Sequence, residues 1–140
     1  MRRFRLYPMR GFWLRGKEGK ITFPVLLEID RGRMYRQRFK RHVRSRIEFV
    51  RSGVYEKVFG TRAVMIVYVT TGERAEYVEV RRRALVEWTR EVLEEMRRPW
   101  GAMFRFCGVS FANLYETLPF GERVWYRPDR EERPVGLFEG

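Results

Sequence analysis

The sequence predicts a single α/β domain in which a mixed β-sheet is flanked by helices. The chain has 140 residues, which is close to the most common size of one domain. Two segments, 34–51 and 81–98, carry apolar residues three and four positions apart, as amphipathic helices do. Short apolar runs rich in β-branched residues stand before, between and after these segments, as expected of strands. We therefore treat 1–140 as one domain, with 119–140 as a loosely packed tail.

The first predicted element is a β-hairpin. Residues 9–14 and 20–30 have strand character, and residues 16–19, bounded by glycines, form a tight loop between them. Alternate side chains of a strand point to opposite faces of its sheet. The second strand therefore presents Val25, Leu27 and Ile29 on one face and Leu26, Glu28 and Asp30 on the other.

The first predicted helix runs from about residue 34 to residue 51 and is closed by Ser52 and Gly53. A short segment at 55–59 follows, and then residues 63–69 form a continuous apolar run. Such a run indicates a central strand covered on both faces, which implies helices on either side of the sheet. The apolar stripe of this first helix consists of Tyr35, Phe39, Val43, Ile47 and Val50.

The second predicted helix covers 81–98 and is stopped by Pro99. Residues 104–109 form a further strand, and strand-like residues 123–126 interrupt the tail. The core-facing side chains of this second helix are Leu85, Trp88, Val92 and Met96.

The composition predicts a polyanionic partner. Lysine and arginine number 30 against 18 aspartates and glutamates, so the formal net charge is +12. A protein with such a positive charge attracts nucleic acid. No apolar run is long enough to span a membrane, and no signal-like stretch follows the basic N-terminus. We therefore expect a cytoplasmic protein with no membrane partner, whose single cysteine, Cys107, is a buried thiol.

The cationic charge concentrates in residues 31–51, around the first predicted helix. Glu48 is the only acid in that stretch, whereas the helix at 81–98 interleaves glutamates with its arginines, as an ion-paired surface does. We therefore predict phosphate binding by the first helix, with a solvated face or a face for a partner protein as the alternative. The predicted nucleic-acid contacts are Arg31, Arg33, Arg36, Arg38, Lys40, Arg41, Arg44 and Arg51.

The carboxylates of Glu28 and Asp30 form the second candidate site. Two acids on one face at a strand end, beside a basic helix, are able to hold Mg²⁺ or Mn²⁺ against a phosphate. Glu28 and Asp30 are thus the candidate catalytic residues and metal ligands. The alternative is that both acids pair with arginines of the neighbouring helix.

Aromatic residues form the third candidate site. Phe12, Trp13 and Trp100 are able to stack on unpaired bases but fit the core equally well. Trp125 and Tyr126 stand between Arg123 and Arg127, and for this reason we place them at the surface as a stacking pair.

Four segments of the chain resemble the replication-relaxation family of plasmids, phages and integrated elements. They are PVLLEIDRG at 24–32, FVRSGVY at 49–55, FGTR at 59–62 and VYVTTGER at 67–74, and the resemblance covers most of residues 8–95. The resemblance implies a role in the replication or transfer of mobile DNA. Family members commonly carry a winged-helix DNA-binding domain ahead of this region, so the chain is expected to correspond to their second half.

The resemblance also implies a restriction-endonuclease-like core of the PD-(D/E)xK type. That core places an Asp on the first hairpin strand and an ExK pair on the second. Here Met9 stands at the first of these positions and Asp30 stands in place of the lysine. Methionine does not bind Mg²⁺, and a carboxylate cannot replace the lysine that steadies the attacking water. Lys40 and His42 are helix-borne candidates for the missing groups, but we assign His42 no catalytic role.

These observations predict a DNA-binding accessory protein of plasmid or phage replication or transfer, without nuclease activity and without a required cofactor. It is expected to bind duplex or single-stranded DNA through phosphate contacts. One alternative is an interaction protein that docks on a host replication or transcription enzyme. The other is a DNA endonuclease that depends on Mg²⁺ or Mn²⁺ and uses Glu28 and Asp30.

Overall fold

The computed structural model describes residues 3–6, 10–15, 22–114, 122–130 and 133–138. The predicted loop at 16–19 and the position of Met9 lie outside this part of the chain. The described residues form one small mixed α/β domain, as predicted, and the sheet in its centre has five strands. Its strands, in spatial order, are β1 (Arg3–Leu6), β2 (Arg10–Arg15), β3 (Thr22–Asp30), β4 (Met65–Gly72) and β5 (Phe104–Ser110).

The sheet is antiparallel on one side and parallel on the other. β1, β2 and β3 pair antiparallel, so the predicted strand pair around the first loop is confirmed, with β1 as an additional edge strand. β3, β4 and β5 pair parallel, with Glu28 opposite Tyr68 and Asp30 opposite Thr70. The three parallel strands therefore end side by side, at one edge of the sheet.

In the described part of the chain, four α-helices and one short 3₁₀ helix (Gly101–Met103) accompany the sheet. The α-helices are α1 (Arg36–Arg51), α2 (Val54–Phe59), α3 (Ala75–Glu95) and the short α4 (Phe111–Leu114). The predicted end of α1 is confirmed, because Gly53 takes the left-handed conformation with φ 85°. α3 begins at Ala75 rather than at residue 81. It ends before Pro99 because Arg97 takes φ 52° and the amide of Arg98 donates to the carbonyl of Leu93.

Both long helices pack on the same face of the sheet, so the prediction of helices on either side is wrong. The connections from β3 to β4 and from β4 to β5 move in the same direction across the sheet. Two crossovers of the same hand place their helices on one face. The resulting core joins Leu26, Ile66, Tyr68, Phe104 and Phe106 of the sheet to Phe39, Val43, Ile47, Leu85 and Val92 of the helices.

The C-terminal segment covers the opposite face, so the prediction of a loosely packed tail is wrong for its described residues. Trp125 is 0% exposed and Leu137 is 1% exposed. They pack with Val135 against the face that carries Val25 and Val67. The amides and carbonyls of Phe106 and Tyr126 bond reciprocally at 2.9 and 2.8 Å. This layer buries the apolar side chains that no helix reaches, and it gives β4 the predicted cover on both faces.

Burial confirms the predictions for Cys107 and for three residues of the α1 stripe, and it contradicts the prediction for Tyr35. Cys107 is a buried free thiol, as expected. Phe39, Val43 and Ile47 are fully buried in the α1 stripe, but Tyr35 precedes the helix and is 85% exposed.

None of the helices in the described residues is both long and apolar enough to cross a membrane.

Candidate functional site

The candidate site lies where the parallel strands end. Asp30 and Thr70 are register partners, so the segments that follow β3 and β4 leave the sheet next to each other. Ligands of open α/β sheets commonly bind outside the carboxyl ends of their strands. We call this region, made of residues 31–35 and 73–81, the carboxyl edge.

Asp30 is buried at the carboxyl edge and is fully engaged with protein groups. Its side-chain oxygens accept hydrogen bonds from Nε and one terminal nitrogen of Arg81, each at 3.0 Å. The amide of Gly32, which has φ 76°, donates to Oδ1 at 3.2 Å. Thr71 also donates its hydroxyl to the Asp30 carbonyl. Asp30 therefore ties β3 to α3.

Glu28 lies on the same face of β3 and belongs to a cluster under α1. Its Oε1 accepts hydrogen bonds from Arg46, at 2.5 and 3.2 Å. His42 Nε2 lies 3.7 Å from the same oxygen, and His42 Nδ1 lies 3.0 Å from the hydroxyl of Tyr68. Burial raises the pKa of Tyr68, so the hydroxyl keeps its proton, and the tautomer of His42 decides which of the two groups donates. Burial, and then the nearby Arg46 charge, lower the pKa of His42.

The two candidate catalytic acids thus form ion pairs with arginines, which was the alternative to metal binding. Glu28 pairs with Arg46 of α1, as that alternative predicted, but Asp30 pairs with Arg81 of α3. Across the described ranges, no group of three or more histidine, cysteine, aspartate or glutamate side chains is placed to hold a metal ion.

Half of the predicted phosphate contacts form ion pairs with glutamates, so the structure does not support phosphate binding by these four residues. The glutamates of α3 reach across to α1 instead of pairing only within their own helix. Arg36 and Lys40 lie 2.6 and 3.2 Å from Glu91. Lys40 also lies 2.6 Å from Glu95. The remaining pairs are Arg44 with Glu95 and Arg51 with Glu48.

Lys40 is the clearest correction among the predicted contacts. Its residue is only 5% exposed, enclosed between α1 and α3. The hydrogen bond to Glu95 raises the pKa of Lys40, against the opposing effect of its burial. This side chain holds the two helices together and does not face a ligand.

The other half of the predicted contacts are exposed and unpaired. They form no hydrogen bond or ion pair with any residue that the structure describes. Two of them lie in the loop after β3 and two in the first turns of α1. This set, which we call the arginine group, is Arg31, Arg33, Arg38 and Arg41.

The predicted stacking pair is wrong, because Trp125 is 0% exposed and lies in the core. Tyr126 is half-buried, and the guanidinium of Arg82 lies 3.6 Å from its ring centroid. Trp100 packs on the core, which was the alternative for it. The side chains of Phe12 and Trp13 fall outside the described part.

Two exposed tyrosines at the carboxyl edge were missed by sequence reasoning. Tyr35 is 85% exposed and Tyr77 is 64% exposed, with the guanidinium of Arg74 5.6 Å from the Tyr77 ring centroid. The signal for Tyr35 was its position between Arg33 and Arg36. The apolar periodicity of α1 outweighed that signal.

The fold and site define the class of protein as a small mixed α/β domain with an exposed arginine group in the loop after β3 and at the start of α1. Comparisons with protein-family models, with curated proteins and with solved structures found no match to this chain. The resemblance to the replication-relaxation family therefore stays a prediction.

Proposed function

We propose that the protein binds nucleic acid through phosphate contacts made by the arginine group. The observation that carries this proposal is the exposure of four arginines along one short segment, with no acidic partner among the residues that the structure describes. Guanidinium groups bind phosphate with two parallel hydrogen bonds. The net charge of +12 adds a long-range attraction for a polyanion.

Within the described ranges, the arginine group differs from the neighbouring cations of α1 in having no acidic partner. An arginine already paired with a glutamate must give up that pair to bind phosphate, whereas an unpaired arginine does not. Arg38 and Arg41 are three residues apart on α1, a spacing at which like charges repel by a few tenths of a kcal/mol. Helix stability alone therefore does not account for the two arginines, but a bound phosphate chain would neutralise both.

The proposal extends to a DNA-binding accessory protein of plasmid or phage replication or transfer, built on a nuclease-like core. Support for the core comes from the mixed sheet and from Glu28 and Asp30 on its helix-covered face. Support for the absence of cleavage comes from the same two acids, because each already accepts hydrogen bonds from an arginine. A carboxylate held in this way is a weaker metal ligand than a free one.

The test compares two triple charge reversals that change the net charge equally. One carries Arg33→Glu, Arg38→Glu and Arg41→Glu. The matched control carries Arg51→Glu, Lys57→Glu and Arg62→Glu, which change exposed cations around α2, at the opposite edge of the sheet.

Binding of a labelled oligonucleotide is measured by fluorescence anisotropy, and folding by thermal unfolding. We expect the first variant to lose roughly 100-fold in affinity at 0.1 M salt, because three phosphate contacts are removed. The control variant should lose little affinity, because only the overall positive charge of the protein is lowered. Equal losses in both variants would contradict the proposal and would assign binding to the diffuse charge.

A further inference from the structure

We infer that the carboxyl edge stacks unpaired bases on Tyr35 and Tyr77, so that its ligand is single-stranded nucleic acid. This inference rests on the proposed function and adds the class of nucleic acid to it. The tyrosine rings supply base contacts that the arginine group does not.

The most exposed apolar side chains lie in the two segments that follow β3 and β4. Among the described residues, the three most exposed large hydrophobic side chains are Tyr35 at 85%, Val80 at 67% and Tyr77 at 64%. The others, Val54, Val58, Phe111 and Phe138, are between 36% and 47% exposed. Tyr77 and Val80 are three residues apart on α3 and so share one side of that helix, whereas Tyr35 stands one residue before α1.

Arginines stand near both tyrosines, although the acids Glu73 and Glu76 also stand close to Tyr77 in the chain. Tyr35 ends the loop that carries Arg31 and Arg33, and the first turns of α1 follow it. Tyr77 lies in the first turn of α3, where the Arg74 guanidinium is 5.6 Å from the ring centroid. Aromatic rings beside a cationic track are the usual platform for unpaired bases.

Stacking on these rings requires bases that have left the helical stack. In a duplex the base faces are covered by neighbouring bases, so only the edges and the phosphates are available. An oligonucleotide without base pairs can place a base on each tyrosine while its phosphates contact arginines. Phosphate contacts alone would not distinguish single-stranded nucleic acid from a duplex.

The experiment uses three ligands of equal length: an oligothymidylate, a fully abasic strand with the same number of phosphates, and a duplex. The variants are a double Tyr35→Ala and Tyr77→Ala, and a double Tyr35→Phe and Tyr77→Phe that keeps both rings. Both side chains are exposed, so all variants should show unchanged thermal unfolding.

We expect the unchanged protein to bind oligothymidylate about tenfold or more tightly than the abasic strand. The alanine variant should bind both strands with the affinity of the abasic strand, and the phenylalanine variant should keep the preference. Equal binding of the two single strands by the unchanged protein would overturn the inference while leaving phosphate binding intact. Loss of the preference in the phenylalanine variant would also overturn it. Failure to bind any of the three ligands at low salt would instead reject the proposed function.

Discussion

Asp30 and Arg81 form a bidentate ion pair that joins the end of β3 to α3, with both hydrogen bonds at 3.0 Å. The side chain of Asp30 is 2% exposed and that of Arg81 is 17% exposed. The pair fixes the start of the loop that carries Arg31 and Arg33 relative to the helix that carries Tyr77. It therefore positions both halves of the carboxyl edge.

Asp30→Asn should destabilise the fold, because it leaves the largely buried Arg81 without its counter-charge. The loss expected is about 3 kcal/mol in the free energy of unfolding, measured by urea denaturation. The matched control is Glu56→Gln, which removes the exposed partner of Arg62 and should cost less than about 1 kcal/mol. If Asp30→Asn and Glu56→Gln lower the free energy of unfolding by equally small amounts, Asp30 does not tie β3 to α3.

His42 should make stability depend on pH. Its pKa is lowered on folding, so the unfolded chain binds more protons than the folded protein just below the usual value of 6.5. The contribution of His42 is therefore complete above that pH and is lost as the pH falls through the folded pKa. Glu28 opposes this shift, while Arg46 and Arg38 add to burial.

The measurement is urea unfolding at about pH 7.5 and about pH 5.5 for the unchanged protein and for His42→Gln. Glutamine can still form a hydrogen bond with the Tyr68 hydroxyl but cannot become charged. The unchanged protein should lose more stability between the two pH values. His42 is the only histidine of the chain, so its imidazole signal reports the same titration directly.

Removing the charge of Lys40 and removing that of its neighbour Arg41 should have different effects on the affinity for nucleic acid. Arg41→Ala should weaken binding of a single-stranded oligonucleotide about fivefold at 0.1 M salt, as expected for one lost phosphate contact. Lys40→Met should leave that affinity within about twofold, because Lys40 is enclosed by Glu91 and Glu95. A larger loss for a folded Lys40→Met variant would return Lys40 to the set of ligand contacts.

The purified protein should not cut DNA. Supercoiled plasmid, linear duplex and branched DNA are incubated with Mg²⁺, with Mn²⁺ and with chelator. We expect no metal-dependent cleavage, since Glu28 and Asp30 are engaged by Arg46 and Arg81. Cleavage that Glu28→Gln and Asp30→Asn both abolish would contradict this and establish the nuclease alternative.

Sequence reasoning succeeded where the physical signal is local. The burial of Phe39, Val43 and Ile47 follows from helical periodicity, and the end of α1 follows from the left-handed conformation of Gly53. Strand alternation likewise predicts that Glu28 and Leu26 lie on the same face of the sheet.

The errors came from contacts between distant segments. The pairing of Lys40 with Glu91 and Glu95 depends on both helices lying on one face of the sheet. Trp125 is buried because a sheet face without a helix needs another cover, and flanking arginines do not reveal that. Only the packed structure separates the arginine group from its ion-paired neighbours.

The salt dependence of binding tests the central claim most directly. The slope of log K against log salt concentration is measured for a single-stranded oligonucleotide with the unchanged protein and with two neutral triple variants. One removes Arg33, Arg38 and Arg41 by substitution to alanine, and the other removes Arg51, Lys57 and Arg62 in the same way. Phosphate contact by the arginine group predicts a slope smaller by about 2 in the first variant and an unchanged slope in the second. Identical slopes in all three proteins would contradict the account.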